Sequence, residues 1–386
     1  MQQEMDPKTI MKHFASSTGL SDLSRQPRRY LWTDAFAVCN YLGLYRQTGT
    51  HEFLELALKL VTQVHQILGR HRSDSQLSGW LSGLAEEEAQ QHPTRGGLRI
   101  GKKLNERHVH EPVDESREWD MDGQYFHYLT KWMHALNCVS RVTGNSMYIL
   151  WAMELAKVAY HAFTYILLSG GIRRMYWKMS IDLSRPLVSS MGHHDPLDGL
   201  ITFYELEATA KQFSLKISLQ TEIESMEMMC KEKDWATEDA LGLGGLLTDA
   251  YKLVQLIDIH QLRDTDRLLS LLEDIEYSLH MFSNHNQLHL PAGYRLAFRE
   301  FGLSIGLCAI SRMQNRIEKH PNHFKNADQL TSMLSRLSHF FPISKLIGDF
   351  WLQPQHRLVH SWSDHEDINT VMLATVLAPE MYLSCD

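Results

Sequence analysis

Apolar residues between Trp119 and Phe163 recur at α-helical spacing on both sides of a Thr143-Gly144 turn. Leu129, Trp132, Met133 and Leu136 precede it, and Leu150, Met153, Leu155 and Ala159 follow it. This predicts a helix, a tight turn and a second helix. Gly144 is the stop, because glycine adopts the left-handed conformation that a helix C-terminus commonly needs. The same pattern stands 95 residues upstream, where Thr48-Gly49 takes the place of Thr143-Gly144 and Phe53, Ala57 and Leu60 fall in register with Tyr148, Ala152 and Leu155. A helical hairpin used more than once can bury its apolar face only against its neighbours, so the pattern predicts an array of hairpins.

Taken in order, residues 1 to 28 read as a short helix with a polar lead-in. Tyr30 to Arg46 and Glu52 to Leu68 form the first hairpin, and the Trp119 to Phe163 unit forms the second. Ile201 to Gln212 pairs with Leu215 to Cys230, Ala240 to Ile259 with Asp266 to Phe282, and Tyr294 to Arg312 with Ala327 to Phe340. A last helix begins after Ser363 or Asp364. Residues 69–116 are long and polar without strong periodicity, but Trp80, Leu81, Leu84, Leu98 and Ile100 favour an ordered rim loop. The stretch after the second hairpin has extended character up to Val188, with a helix start near Asp195 or Asp198, both suitable N-caps. About eleven or twelve helices result, with almost no strand alternation.

Turns within hairpins are short, whereas the segments between hairpins are long, polar and aromatic. An open solenoid would not need that asymmetry. In an all-α (α/α)6 toroid the inner helices all begin at one mouth and the long segments crowd around it, so a single toroid domain over 1–386 is expected.

Composition narrows the function. A net charge of −8 argues against a nucleic-acid partner, which usually meets a basic face. No apolar run approaches the roughly 20 residues needed to span a bilayer, and the N-terminus lacks a signal-like apolar core. A cytoplasmic protein without a membrane association is expected. The five cysteines, Cys39, Cys138, Cys230, Cys308 and Cys385, have no CxxC spacing and read as thiols in a reducing compartment. The pattern leaves the oligomeric state open, a homo-oligomer included.

The motifs WTDAFAVCNYLGLYRQTG and DMDGQYFHYLTKWMHALNCVSRVTG resemble the hairpins of the six-hairpin glycosidase superfamily, which includes unsaturated glucuronyl hydrolases and N-acylglucosamine 2-epimerases. The resemblance covers nearly the whole chain in architecture and is specific in the hairpin pattern only. It implies a carbohydrate-active enzyme with a small sugar-like substrate.

Four clusters fall where inner helices should begin: Trp32 and Asp34; Trp119, Asp120, Asp122, Gln124, Tyr125 and His127; Tyr176, Trp177, Lys178 and Asp182 with His193, His194, Asp195 and Asp198; and His360, Trp362, His365, Glu366 and Asp367. Carboxylates in a partly apolar cavity can split into an acid and a base, because desolvation and hydrogen bonding move their proton affinities apart. Hydrolysis of a glycosidic bond uses such a pair. Resemblance to the glucuronyl hydrolases implies Asp122 with Asp195 or Asp198 in these roles, and Asp34 opens another inner helix. Resemblance to the epimerases implies proton exchange by His194 and His365. Trp32, Trp119, Gln124, Tyr125, His127, Tyr176, Trp177, Lys178, Trp362 and Glu366 are the candidates for substrate contact.

Set against this, each aspartate also suits a helix cap or a first-turn charge that favours the helix dipole, and a non-catalytic ligand-binding toroid has the same pattern. Neither a cofactor nor a metal is required; His193, His194, Asp195 and Asp198 could offer ligands to a divalent ion, but no HExxH-type spacing accompanies them. The glycines of LGLGG at 241–245 follow no strand and suit helix packing better than phosphate binding.

Overall fold

The computed structural model describes residues 6–22, 24–167 and 170–384, so the thiol expected at Cys385 lies outside the described residues. These residues divide into two compact units, one formed by Ala15–Lys231 and the other by residues 6–14 with Glu232–Ser384. Helices dominate both, as expected for an all-α fold.

The first unit holds three hairpins. They are α2 (Leu31–Thr48) with α3 (His51–Leu68), α6 (Phe126–Thr143) with α7 (Ser146–Phe163), and α8 (Asp195–Gln212) with α9 (Gln220–Cys230). Two shorter helices, α4 (Glu86–Gln91) and α5 (Glu115–Glu118), lie between the first two hairpins, and α1 (Pro7–Ser17) opens the chain. Both predicted stops are realised. Gly49 (φ 67°) and Gly144 (φ 69°) cap α2 and α6 in the left-handed region, and their amides bond to the carbonyls of Tyr45 and Ser140 at 2.8 Å.

The helices that open each hairpin run in parallel. At the start of α2 and α6 the Tyr30 and Tyr128 hydroxyls meet at 2.7 Å, and at the start of α6 and α8 the Lys131 ammonium meets Asp198 at 2.7 Å. The starts of α2, α6 and α8 therefore share one end of the unit. Their flanks are apolar: Leu129, Trp132, Met133 and Leu136 are fully buried. Burial of each such side chain stabilises the fold by about 1.5–3 kcal/mol.

Short strands close the same end. β1 (Gln124–Tyr125), β4 (Lys178–Met179) and β5 (Pro186–Val188) form an antiparallel sheet in the order β1-β4-β5, and β2 (Thr164–Tyr165) pairs with β3 (Arg174–Met175). The expected extended run to Val188 is thus a sheet. Residues 69–116 are ordered, as their apolar content suggested. Trp80, Leu98 and Ile100 are buried, and the segment is tied to α7 by Thr94 Oγ1, which donates to the Trp151 carbonyl, and by Trp151 Nε1, which donates to the Gln91 carbonyl. Glu86 is exposed, accepts from Trp80 Nε1 at 3.0 Å and pairs with Arg70.

The second unit carries α10 (Ala240–His260), α11 (Thr265–Asn284), α12 (Ala297–Lys319), α13 (Ala327–Leu337), α14 (Phe341–Leu352), α15 (His360–Ser363), α16 (Glu366–Leu377) and α17 (Glu380–Leu383). α14 continues a stretch where the periodicity had closed the fifth hairpin at Phe340. α10 and α12 also run in parallel, because Arg299 meets Asp239 at their starts and Arg316 meets Asp258 near their ends. The glycines decide how close they come. A Cβ at Gly244 would stand 2.1 Å from the Gly302 carbonyl oxygen, and one at Gly306 2.7 Å from that of Gly244. The two backbones touch, so LGLGG is a packing motif.

Cys39 and Cys230 are buried thiols and Cys308 is a half-buried one, but Cys138 is disulfide-bonded. The thiol reading fails there because spacing alone carries no pairing signal. Among the described residues no helix is long and apolar enough to cross a membrane.

Candidate acid–base site in the first unit

The shared start of α2, α6 and α8 brings aromatic rings and charged groups into one cluster. His127, in the first turn of α6, lies at its centre. Its ring stacks on Tyr125 at 5.3 Å and lies parallel to Trp177 at 6.4 Å, and it meets Trp32 and Tyr128 edge-on at 6.2 and 4.9 Å. Trp177 also contacts Tyr125 at 5.1 Å and Trp119 at 4.8 Å, and the Trp119 ring is half exposed.

Asp195 opens α8 beside this cluster. Its Oδ1 is 3.6 Å from His127 Nδ1. One turn on, Asp198 is held by the Lys131 ammonium at 2.7 Å and by the Thr130 hydroxyl. Burial lowers the His127 pKa to about 4; the Lys131 charge acts in the same direction and the Asp198 charge opposes both. At neutral pH the imidazole is therefore neutral and able to accept a proton.

Three polar atoms in this cluster are buried without a hydrogen-bond partner: Trp32 Nε1, the Tyr125 hydroxyl and His127 Nδ1. Buried polar atoms are nearly always satisfied, and each one left over costs about 1–3 kcal/mol. Donors and an acceptor gathered around stacked rings match the needs of a polyhydroxylated ligand.

Other expected site residues take structural roles. Asp122 is fully buried. Its Oδ2 accepts from Arg72 at 3.2 Å and Arg99 at 2.9 Å, and its Oδ1 accepts from the amides of Gly101 and Gly123. Both oxygens thus tie the rim segment down, in the residue expected as the acid or base. Gln124 is likewise used up, accepting from Leu98 N and donating to the carbonyls of Gly96 and Ile181. Lys178 is fully buried, and its ammonium donates to Glu118 Oε1 and to the carbonyls of Glu118 and Met121. Those three bonds fill its donors and make it a strut between Glu118, Met121 and β4.

Asp34 accepts from the Tyr30 amide at 2.9 Å and pairs with Arg29, the local bonding of a helix start. Tyr176 stacks on Tyr165 at 4.2 Å. His194 is the N-cap residue of α8 and packs on His193; Asp195 and Asp198, expected as caps, are first-turn residues whose carboxylates point to side chains of α6. Trp362, His365 and Glu366 belong to the second unit. There Trp362 is buried against Trp351 and Phe301, the His365 ring contacts Phe298, and Glu366 is exposed.

Three residues went unnoticed in the sequence. Tyr128 and Lys131 follow His127 on the same helix start, and the Lys102 ammonium lies 5.4 Å over the Tyr30 ring. Burial holds Lys102 below the ordinary lysine value. Its signal was present as the only lysine pair of the rim segment, Lys102-Lys103.

Two solved structures are similar to this chain. One is a GH76 alpha-mannanase from Bacteroides thetaiotaomicron, at 10% identity and a TM-score of 0.49 over 87% of this chain and 83% of the other. The second is a cellobiose 2-epimerase from Spirochaeta thermophila, at 13% identity and a TM-score of 0.43 over 87% of this chain and 97% of the other. At those identities and scores the likeness says nothing about this chain's chemistry. No protein-family model and no curated protein sequence matches the chain.

Proposed function

We propose that the chain is a carbohydrate-active enzyme whose sugar or uronate substrate lies against Trp177, Trp119 and Tyr125, with His127 and Asp195 exchanging protons with it. The observation that carries this reading is the neutral, ring-stacked imidazole of His127 set 3.6 Å from the Asp195 carboxylate. Flat rings suit the apolar faces of a sugar, and Lys102 supplies a partly desolvated cation for a uronate carboxylate. A base of this kind works when its geometry is fixed by packing, and the four surrounding rings fix it.

Two reactions compete. Carboxylate-pair hydrolysis asks for two acidic side chains that face the bond. Asp122 and Asp198 are committed to cationic partners. An imidazole beside a carboxylate fits proton exchange at a carbon next to a carbonyl, so we favour an isomerase or epimerase.

The test is incubation of the protein with a panel of reducing sugars and uronates in deuterated water. The proposal expects solvent deuterium at one carbon of recovered sugar, reduced at least about 100-fold in Asp195→Asn and in His127→Gln, a loss within the usual weight of general acid–base catalysis. Release of new reducing ends without deuterium at carbon would instead support hydrolysis. Turnover equal to wild type in both variants would overturn the site.

A further inference from the structure

In the second unit, α10 and α12 end side by side, and three metal-ligating side chains meet there. Asp258, near the end of α10, is buried. Its Oδ1 lies 2.8 Å from His320 Nδ1 and 2.9 Å from His323 Nδ1, and its Oδ2 accepts from Arg316 Nη1 at 2.9 Å. His320 follows α12 and His323 closes the 3-10 turn Pro321–His323. The two imidazoles stack at 5.2 Å with 28° between their planes, and both remain open to solvent on their outer side, at 40% and 45% side-chain exposure.

This arrangement is unusual for a merely structural carboxylate. Asp258 stands at the negative end of a helix, where a second negative charge is disfavoured. It also lies in the interior, where a charge needs partners, and His320, His323 and Arg316 surround it. One cation, Arg316, is already supplied. Two imidazoles are then turned so that the same ring nitrogen of each faces one oxygen.

We infer that Asp258, His320 and His323 form a binding site for a divalent transition ion of the zinc type, separate from the acid–base cluster. Their three donor atoms lie within 4.8 Å of one another. Ligands at about 2.0–2.1 Å in a tetrahedron stand about 3.3 Å apart, so the nitrogen-to-oxygen distances of 2.8 and 2.9 Å need open by only about half an ångström. Uptake puts one ion on both Nδ1 nitrogens and Oδ1, and each neutral ring keeps its single proton on Nε2, the tautomer that leaves Nδ1 free to ligate. Arg316 on the remaining oxygen orients the carboxylate from outside, as partners of ligating groups do. Two imidazoles and one carboxylate leave a fourth position open, the pattern of a site that also takes water or a ligand. Cys39, His134 and Cys138 also lie close together, but Cys138 is disulfide-bonded and its sulfur is no thiolate ligand.

The experiment is calorimetric titration of the untagged, chelator-treated protein with zinc chloride, beside the His320→Gln/His323→Gln variant. Both substitutions are at partly exposed positions, and circular dichroism and melting temperature verify that the variant is folded. One equivalent of zinc bound by the wild type, weakened at least tenfold in the variant, is the expected result. Cobalt(II) should give tetrahedral visible bands with the wild type that the variant lacks. Stoichiometric zinc uptake of equal affinity in both proteins, or none in the wild type, would overturn the inference.

Discussion

His127 Nδ1 lies 3.6 Å from Asp195 Oδ1, one group from the start of α6 and the other from the start of α8. The two are 68 residues apart in sequence. They meet because the helices run in parallel and begin at the same end, with Lys131 and Asp198 joining the next turn of each at 2.7 Å.

The first prediction concerns the ring platform. Trp177 is half-buried and touches Trp119, Tyr125 and His127. Trp177→Ala should weaken saccharide binding by about 1–2 kcal/mol, the scale of a lost ring contact with its buried area. Its melting temperature should change little. A titration that finds wild-type affinity would remove Trp177 from the site.

Asp122 makes the opposite kind of prediction. Replacing it with Asn leaves two guanidinium groups, Arg72 and Arg99, facing a neutral partner in a largely buried place. Breaking a buried pair from one side costs about 3–5 kcal/mol. Asp122→Asn should therefore lower the denaturant midpoint and open residues 69–116 to proteolysis. A variant with wild-type stability and no activity would restore the catalytic assignment instead.

The contrast between Asp122 and Asp195 marks how far the sequence could be read. Hairpins were legible because Leu129, Trp132, Met133 and Leu136 repeat at helical spacing, and the Gly49 and Gly144 stops follow from backbone sterics. Each unit supplies hairpins of the expected (α/α)6 kind. The candidate cluster was legible in its members Trp32, Trp119, Tyr125, His127, Trp177, Asp195 and Asp198. Roles were not. An aspartate that accepts from two arginines and two amides looks the same in sequence as one beside a histidine, because the partners of Asp122 come from positions 72, 99 and 101. The hydrogen bonds of Lys178 and Gln124 were illegible for the same reason: their partners lie on distant segments.

Glycines in α10 provide a paired test of packing. Gly244→Ala places a methyl group 2.1 Å from the Gly302 carbonyl oxygen, whereas Gly245 has nothing within 4 Å of its added carbon. Gly244→Ala should destabilise by at least about 1–3 kcal/mol, and Gly245→Ala should stabilise by about 0.4–1 kcal/mol. Thermal melts of both proteins decide. Equal shifts would show that the helices are not in backbone contact.

Acid sensitivity should come partly from His65. It is buried between Trp132 and Trp151, and its Nε2 accepts from Trp132 Nε1 at 3.1 Å. Burial lowers its pKa from 6.5 to about 3. The unfolded chain binds the proton first, so this contribution is complete above pH 6.5 and is lost as pH falls towards 3, at up to about 1.4 kcal/mol per pH unit. His65→Gln, which keeps an acceptor for Trp132, should flatten the fall of melting temperature between pH 6.5 and pH 4. An unchanged slope would contradict the assignment.

The central claim is that the start of α2, α6 and α8 binds a sugar. The most direct measurement is a thermal-shift titration with saccharides and uronates on wild type, Trp177→Ala and Asp195→Asn. A ligand at a hundredfold excess over its dissociation constant stabilises the folded state by about 2.7 kcal/mol. The account predicts a rise with at least one saccharide in wild type, kept in Asp195→Asn and reduced by about 1–2 kcal/mol of stabilisation in Trp177→Ala. No rise with any sugar, or an equal rise in Trp177→Ala, would contradict it.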